Sequence, residues 1–222
     1  MKRYLPFVII GAVLVLALGA GALMFRSSQP QLQGQSSTPA PALPSGNLPA
    51  TPLVPGTKGI VTIEEFGDYQ CPPCGIVHPM VKKVKSEFGS SVRLIFYHLP
   101  LIQVHKNALD AAHAAVAAKL QGRFWEMHDA LYESQKEWAE APDLRPYAVG
   151  FASRLGLDVA RFTHDMDSPQ VEAEVQADVQ RAASRGVNAT PTLFIDGQMF
   201  DNDKMTVENL RKEIAQKLGV RQ

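Results

Sequence analysis

The segment GIVTIEEF, residues 59–66, is a β-branched apolar run broken by paired glutamates, and it predicts a strand. The spacing then changes. Val77, Val81, Val84 and Phe88 recur at helical intervals and Gly89 supplies a stop, so a helix is expected over about residues 71–88. VRLIFY, residues 92–97, is a second short strand of the buried kind. Strand, helix and strand in this order form a βαβ unit, which implies parallel pairing and a right-handed crossover.

Between residues 105 and 186 the pattern is helical throughout. HKNALDAAHAAVAAKL is alanine-rich, and RFWEMHDALYES carries apolar residues at helical spacing. DLRPYAVGFASRLG and DVARFTHDM add two shorter helices. Ser168-Pro169 offers an N-cap and a first-turn proline for VEAEVQADVQRAASR, which Gly186 closes. Strand character returns at Thr192–Ile195, turns at Asp196-Gly197 and resumes at Gln198–Phe200. A last helix is expected from about Thr206 to Leu218, ended by Gly219. The sum is β-α-β, a helical insertion over about residues 103–186, then β-β-α.

The N-terminus differs in kind. Residues Phe7 to Phe25 run without a charge after Lys2 and Arg3, roughly 19 residues or about 28 Å of helix, close to the thickness of a bilayer core. The flanking basic residues favour a cytoplasmic N-terminus and an exported remainder. Residues 1–26 are therefore expected to be a single-pass anchor in the cell membrane. A cleavable signal is the competing reading, because Ala20-Gly21-Ala22 has a small-x-small form. Residues 27–58, rich in Ser, Thr, Gln, Pro and Gly, read as an extended tether. Residues 59–222 remain as one domain, large enough for a core of its own.

Charge narrows the partners. Basic and acidic residues balance at 22 each, so nothing points to nucleic acid. The cysteines say more. The chain has only two, in FGDYQCPPC, two residues apart and straight after the first strand. A disulfide framework spreads its cysteines, and a zinc ribbon needs a second pair. Cys71, Cys74 and His78 together offer two sulfurs and a nitrogen, one ligand short of a structural zinc site, so no resident metal is expected and His78 reads as a solvated helix position. His98, His105, His113, His128 and His164 lack ligand spacing and are expected at the surface or as satisfied core residues. Phe124, Trp125, Met127, Leu131 and Tyr132 are expected in a helix core, and Asp68 and Tyr69 as loop and surface structure.

A CxxC pair that follows a strand and opens a helix, together with GVNATPTLFIDG at residues 186–197, resembles the DsbA-like thiol–disulfide oxidoreductases. Those proteins have a thioredoxin fold with an inserted helical domain. The insertion, including QGRFWEMHDALYESQ, and the closing helix are similar as well, so the likeness covers about residues 59–220. It implies that Thr190-Pro191 is a cis-proline loop packed beside the cysteines, with Thr190 offering strand-like hydrogen bonds to an extended peptide. It also implies a buried carboxylate beneath the cysteine pair. Glu65 would be that proton acceptor, although a one-residue slip of register would put Glu64 there. No cofactor is implied, because the cysteine pair is itself the redox centre.

The chemistry needs these residues in this order. At a helix N-terminus Cys71 sits beside free N–H groups and the positive end of the helix dipole, which favour thiolate. Cys74, one turn on, would be the buried resolving thiol. The Cys71–Cys74 disulfide would accept electrons from cysteine pairs of exported, partly unfolded proteins. Pro72 and Pro73 tune the site. The best-known pattern of the family has a histidine where this chain has Pro73, which brings neither a positive charge nor an N–H, so a less oxidising couple is expected. The oxidase direction is the expected one, and the resemblance implies reoxidation by a quinone-linked membrane partner. A reductase or isomerase fed by a membrane electron transporter is the nearest alternative. Cu(I) transfer through Cys71, Cys74 and His78, and a non-catalytic peptide adaptor, are the readings from other classes.

Overall fold

A computed structural model describes residues 59–220. The expected anchor and tether, residues 1–58, lie outside the described residues, as do residues 221–222. Among the described residues no helix is long and apolar enough to cross a membrane.

Strand β1, Val61–Gly67, pairs in parallel with β2, Val92–His98, from Val61 opposite Val92 to Gly67 opposite His98. Helix α1, Pro72–Phe88, makes the crossover. Strand β3, Thr192–Ile195, lies antiparallel on the other side of β1, and β4, Gln198–Met199, forms a hairpin with it. The sheet order is β2-β1-β3-β4. Asp196 and Gly197 both have positive φ, 49° and 76°, the backbone that a two-residue hairpin turn requires. The Asp196 carboxylate accepts from the Thr62 N–H at 2.8 Å, which ties the turn back to β1.

Because β1 is central, both its faces are covered. Val61 and Ile63 point to the layer of α1 and the last helix α8, Val207–Leu218, where Val77, Val81, Val84, Leu210 and Ile214 are buried with them. Phe66 points the other way, to Leu99, Ala182, Val187 and Phe194. Helix α8 is closed at both ends as its sequence requires. Thr206 accepts from the Asn209 N–H, and Gly219 takes the left-handed conformation.

The insertion contributes α2 Ala108–Lys119, α3 Phe124–Glu133, α4 Gln135–Trp138, α5 Arg145–Arg154, α6 Val159–Met166 and α7 Pro169–Ser184. Seven alanines of α2 are buried on nearly every side of the helix, and their small side chains let neighbouring helices approach closely. Asp158 and Ser168 cap α6 and α7 through the N–H groups of Arg161 and Val171. Two boundaries differ from expectation. Helix α2 begins at Ala108 rather than His105, because the Asn107 N–H is taken by the Gln70 side chain at 2.6 Å. The four-residue helix α4 was not expected at all; its only Trp, Trp138, is buried and donates to the Leu131 carbonyl. Of the apolar residues expected in the α3 core, Met127, Leu131 and Tyr132 are buried, but Trp125 is 42% exposed.

Candidate active site

Cys71 is the N-cap of α1, and Pro72 and Pro73 occupy the first two helical positions. A helix N-terminus normally presents several free N–H groups, but two of these residues have none. The Cys74 N–H remains as the first backbone donor toward the Cys71 sulfur. Both cysteines are free thiols, with Cys71 5% exposed and Cys74 fully buried. The side-chain hydrogen bond from Cys74 is the largest influence on Cys71, and the contact with Thr190 and the Cys74 backbone N–H act in the same direction. Against the opposing effect of burial, they lower the Cys71 thiol from 9.0 to about 6. Burial pushes Cys74 far up, and its bond to Cys71 pushes the same way. The pair is thus one ionisable sulfur above one that holds its proton.

The Thr190-Pro191 peptide bond is cis, and the Thr190 carbonyl lies 3.5 Å from the Cys71 sulfur. Residues 119 apart in sequence therefore meet at one edge of the site. Pro191 is held from behind, its carbonyl accepting from the Asn202 side chain at 3.1 Å.

Both Glu64 and Glu65 are buried, on opposite faces of β1. Glu64 pairs with Arg185 at 2.8 Å, under the layer of α7. Glu65 faces α1. Among the described residues it has no charged partner and one of its carboxyl oxygens has no hydrogen bond, and burial raises its pKa from 4.5 to about 8. Its charge is felt at Cys74. Glu65 also lines a half-open cleft of about 550 Å³ between α1, α3 and the β2 edge. Gly67, at the end of β1, is held to a bare hydrogen by its neighbours, since a Cβ there would come within 2.5 Å of the Phe96 ring.

Three expectations are corrected. Asp68 and Tyr69 are not surface residues, since each is only 1% exposed. The Asp68 carboxylate accepts from the N–H groups of Gln70 and Leu101 at 2.7 and 2.9 Å and sits 2.7 Å from His105 Nδ1, folding the loop that carries Cys71. Tyr69 is packed among Phe96, His128 and Tyr132. His78 is not a solvated helix position but 6% exposed, and among the described residues Cys71, Cys74 and His78 do not converge on a common ligand point. That removes the three-ligand geometry expected for Cu(I) transfer.

The sequence reading missed Gln135. This residue of α4 donates through Nε2 to the carbonyls of Tyr69 and Cys71, at 2.7 and 2.9 Å. It also lies against Gly75, where a Cβ would come within 2.5 Å of its Oε1. The insertion thus clamps the cysteine loop, helped by Gln70 donating to the Ala139 carbonyl at 2.6 Å. Gln135→Ala leaves the buried Tyr69 carbonyl without its donor, while the Cys71 carbonyl keeps the Gly75 N–H at 3.2 Å, and should destabilise the protein by about 1–3 kcal/mol in urea unfolding. An unchanged midpoint would show that the clamp is not structural.

The residues matched by the thioredoxin family model run from 50 to 216, and the chain belongs to that family. Solved structures share the fold. The oxidised BdbD of Bacillus subtilis has a TM-score of 0.63 at 21% identity, covering 74% of this chain and 90% of that one. DsbA2 of Pseudomonas aeruginosa has a TM-score of 0.57 at 25% identity, covering 72% and 89%. Among curated relatives, a protein named Na(+)/H(+) antiporter NhaA 1 from Salinispora arenicola is 41% identical over 139 residues, 62% of this chain and 20% of that protein. The chain thus spans about a fifth of the length of the curated relatives it matches.

Proposed function

We propose that this protein is a thiol–disulfide oxidoreductase that forms disulfides in exported, partly unfolded proteins. The observation that carries this reading is the pairing of an ionisable Cys71 sulfur, beside the Thr190 carbonyl, with a protonated Cys74 beneath it. In the oxidised enzyme a substrate thiolate attacks the Cys71 sulfur, the Cys71–Cys74 bond breaks, and Cys74 leaves. Glu65, which holds its proton near neutral pH, delivers it to the departing sulfur. A second substrate thiolate then attacks the substrate sulfur of the mixed disulfide and expels Cys71 as thiolate. Two electrons have passed from the substrate pair to the enzyme pair, and a low Cys71 pKa makes the last departure easy.

The peptide would lie against Thr190 and Pro191, using the backbone there as a strand edge. The apolar N-terminal segment would hold the domain outside the cell membrane, and a membrane redox partner, quinone-linked, would remove the electrons. The antiporter name belongs to proteins about five times as long as the shared stretch, and nothing in the cysteine site calls for ion transport.

The direction is tested by the equilibrium potential of Cys71–Cys74 against glutathione. A value more oxidising than about −200 mV supports the oxidase. One near the roughly −270 mV of thioredoxin reverses the flow and makes the protein a reductase. The same sample gives the thiolate titration. Because the Cys71 pKa is lowered, thiolate is present above it and is lost as pH falls through about 6. Alkylation by iodoacetamide should therefore fall about tenfold per pH unit below 6, since only thiolate reacts. A midpoint near 9 would contradict the site described above.

A further inference from the structure

Outside the cysteine site, two histidines and an aspartate from different helices come together at the cleft between α1 and α3. His78 of α1, with His128 and Asp129 of α3, each place one ligand atom within 4.8 Å of the others. We propose that these three residues form a binding site for a divalent transition ion of the zinc type.

The geometry carries the case. His78 Nε2 is buried, makes no hydrogen bond among the described residues, and faces Asp129 Oδ1 at 3.4 Å. Two ligands on a tetrahedral zinc, with bonds of about 2.0–2.1 Å, stand about 3.3 Å apart. That edge is already in place. On His128 the other ring nitrogen, Nδ1, is engaged by the Tyr69 hydroxyl at 3.0 Å, which leaves Nε2 for the ion and holds the ring. On Asp129 the second oxygen, Oδ2, accepts from Lys82 at 2.7 Å, which leaves Oδ1. Lys82 is shared with Glu133 at 2.7 Å, so the local charge of Asp129, Glu133 and Lys82 is still net negative and favours a cation.

Two imidazoles and one carboxylate suit zinc and its neighbours in the first row, whereas calcium and magnesium prefer oxygen alone. Three protein ligands leave a fourth position open to the cleft. The site is separate from the cysteines, and its test does not depend on the redox reading.

The experiment is equilibrium dialysis of the full-length protein against zinc chloride, with Cys71 and Cys74 first oxidised to the disulfide so that no thiolate can bind. One equivalent of zinc should be retained, and the thermal midpoint should rise with zinc concentration. Calcium chloride should produce neither effect. His78→Gln and Asp129→Asn each remove a direct ligand and should weaken binding by more than about 100-fold, beyond the loss of an outer partner. Cooperative melting of both variants without metal shows that they fold. Wild-type protein that retains no zinc overturns the proposal. So does zinc held equally well by both folded variants, which would be adventitious binding.

Discussion

Glu65→Gln should flatten the pH dependence of stability and slow disulfide exchange by about 100-fold, the lower range of what a positioned acid or base contributes. The stability effect follows from burial. Glu65 is 1% exposed and carries no charged partner, and its pKa stands at about 8 rather than 4.5. Folded protein therefore keeps a proton that unfolded protein has lost once the pH exceeds 4.5. With the folded pKa raised, the favourable contribution is complete below pH 4.5 and is lost as pH rises through 8. The full change is up to about 5 kcal/mol, at about 1.4 kcal/mol per pH unit while the proton numbers differ by one. Glutamine mimics the protonated carboxyl at every pH. Urea unfolding of wild type and variant between pH 5 and 9 should give curves that diverge as pH rises toward about 8 and keep a constant gap beyond it, with the variant the more stable on the alkaline side. Parallel curves would mean that Glu65 ionises freely.

The exchange effect has a different origin. Cys74 is buried too deeply to leave as a bare thiolate, and water does not reach it. The nearest acid on the α1 face of β1 is Glu65. Glutamine fills the same space but has no proton to give, so the variant should retain its fold and its Cys71 thiolate and lose rate at the step that breaks the Cys71–Cys74 bond. A variant that forms mixed disulfides at the wild-type rate would remove Glu65 from the proposed mechanism and leave its effect on stability intact.

How much of this could be read from residues alone depended on the distance over which each interaction acts. The strands, the crossover helix, the Asp196-Gly197 turn, the Ser168 cap of α7 and the Gly219 end of α8 rest on patterns a few residues long, and each formed where expected. The ambiguity between Glu64 and Glu65 had a physical source. A central strand is covered on both faces, so apolar alternation does not say which glutamate points to α1, and both turned out to be buried. What local pattern could not show was tertiary pairing of polar side chains. Asp68 reads as a loop residue, yet two of its partners, Leu101 and His105, lie more than thirty residues away. Gln135 stands among Ser134, Lys136 and Glu137, a stretch that reads as a solvated face, and only the packing of the insertion brings it to Tyr69 and Cys71. His78 and His128 sit on separate helices, and no spacing rule within one element joins them.

Cys71→Ser should abolish disulfide exchange, by at least about a thousandfold, because a hydroxyl neither ionises near neutral pH nor forms a disulfide. Cys74→Ser should behave otherwise, and the contrast is the sharper test. With Cys74 gone, Cys71 loses the hydrogen bond that contributes most to its lowered pKa, so its titration should move upward from about 6. The serine hydroxyl, on a shorter C–O bond, restores only part of that bond, so the upward shift remains. The remaining thiolate still attacks a disulfide-bearing peptide: its sulfur bonds to one peptide sulfur, and the other leaves as thiolate. No buried thiol is present to break the new bond, so the mixed disulfide should persist and be visible by mass spectrometry without reductant. Cys71→Ser should trap nothing, because Cys74 lies fully buried beneath the first turn of α1 and a peptide cannot reach it. If both variants trapped peptide to the same extent, the two sulfurs would be equally accessible in solution. The division into an attacking thiol that a peptide can reach and a concealed resolving one would then be wrong.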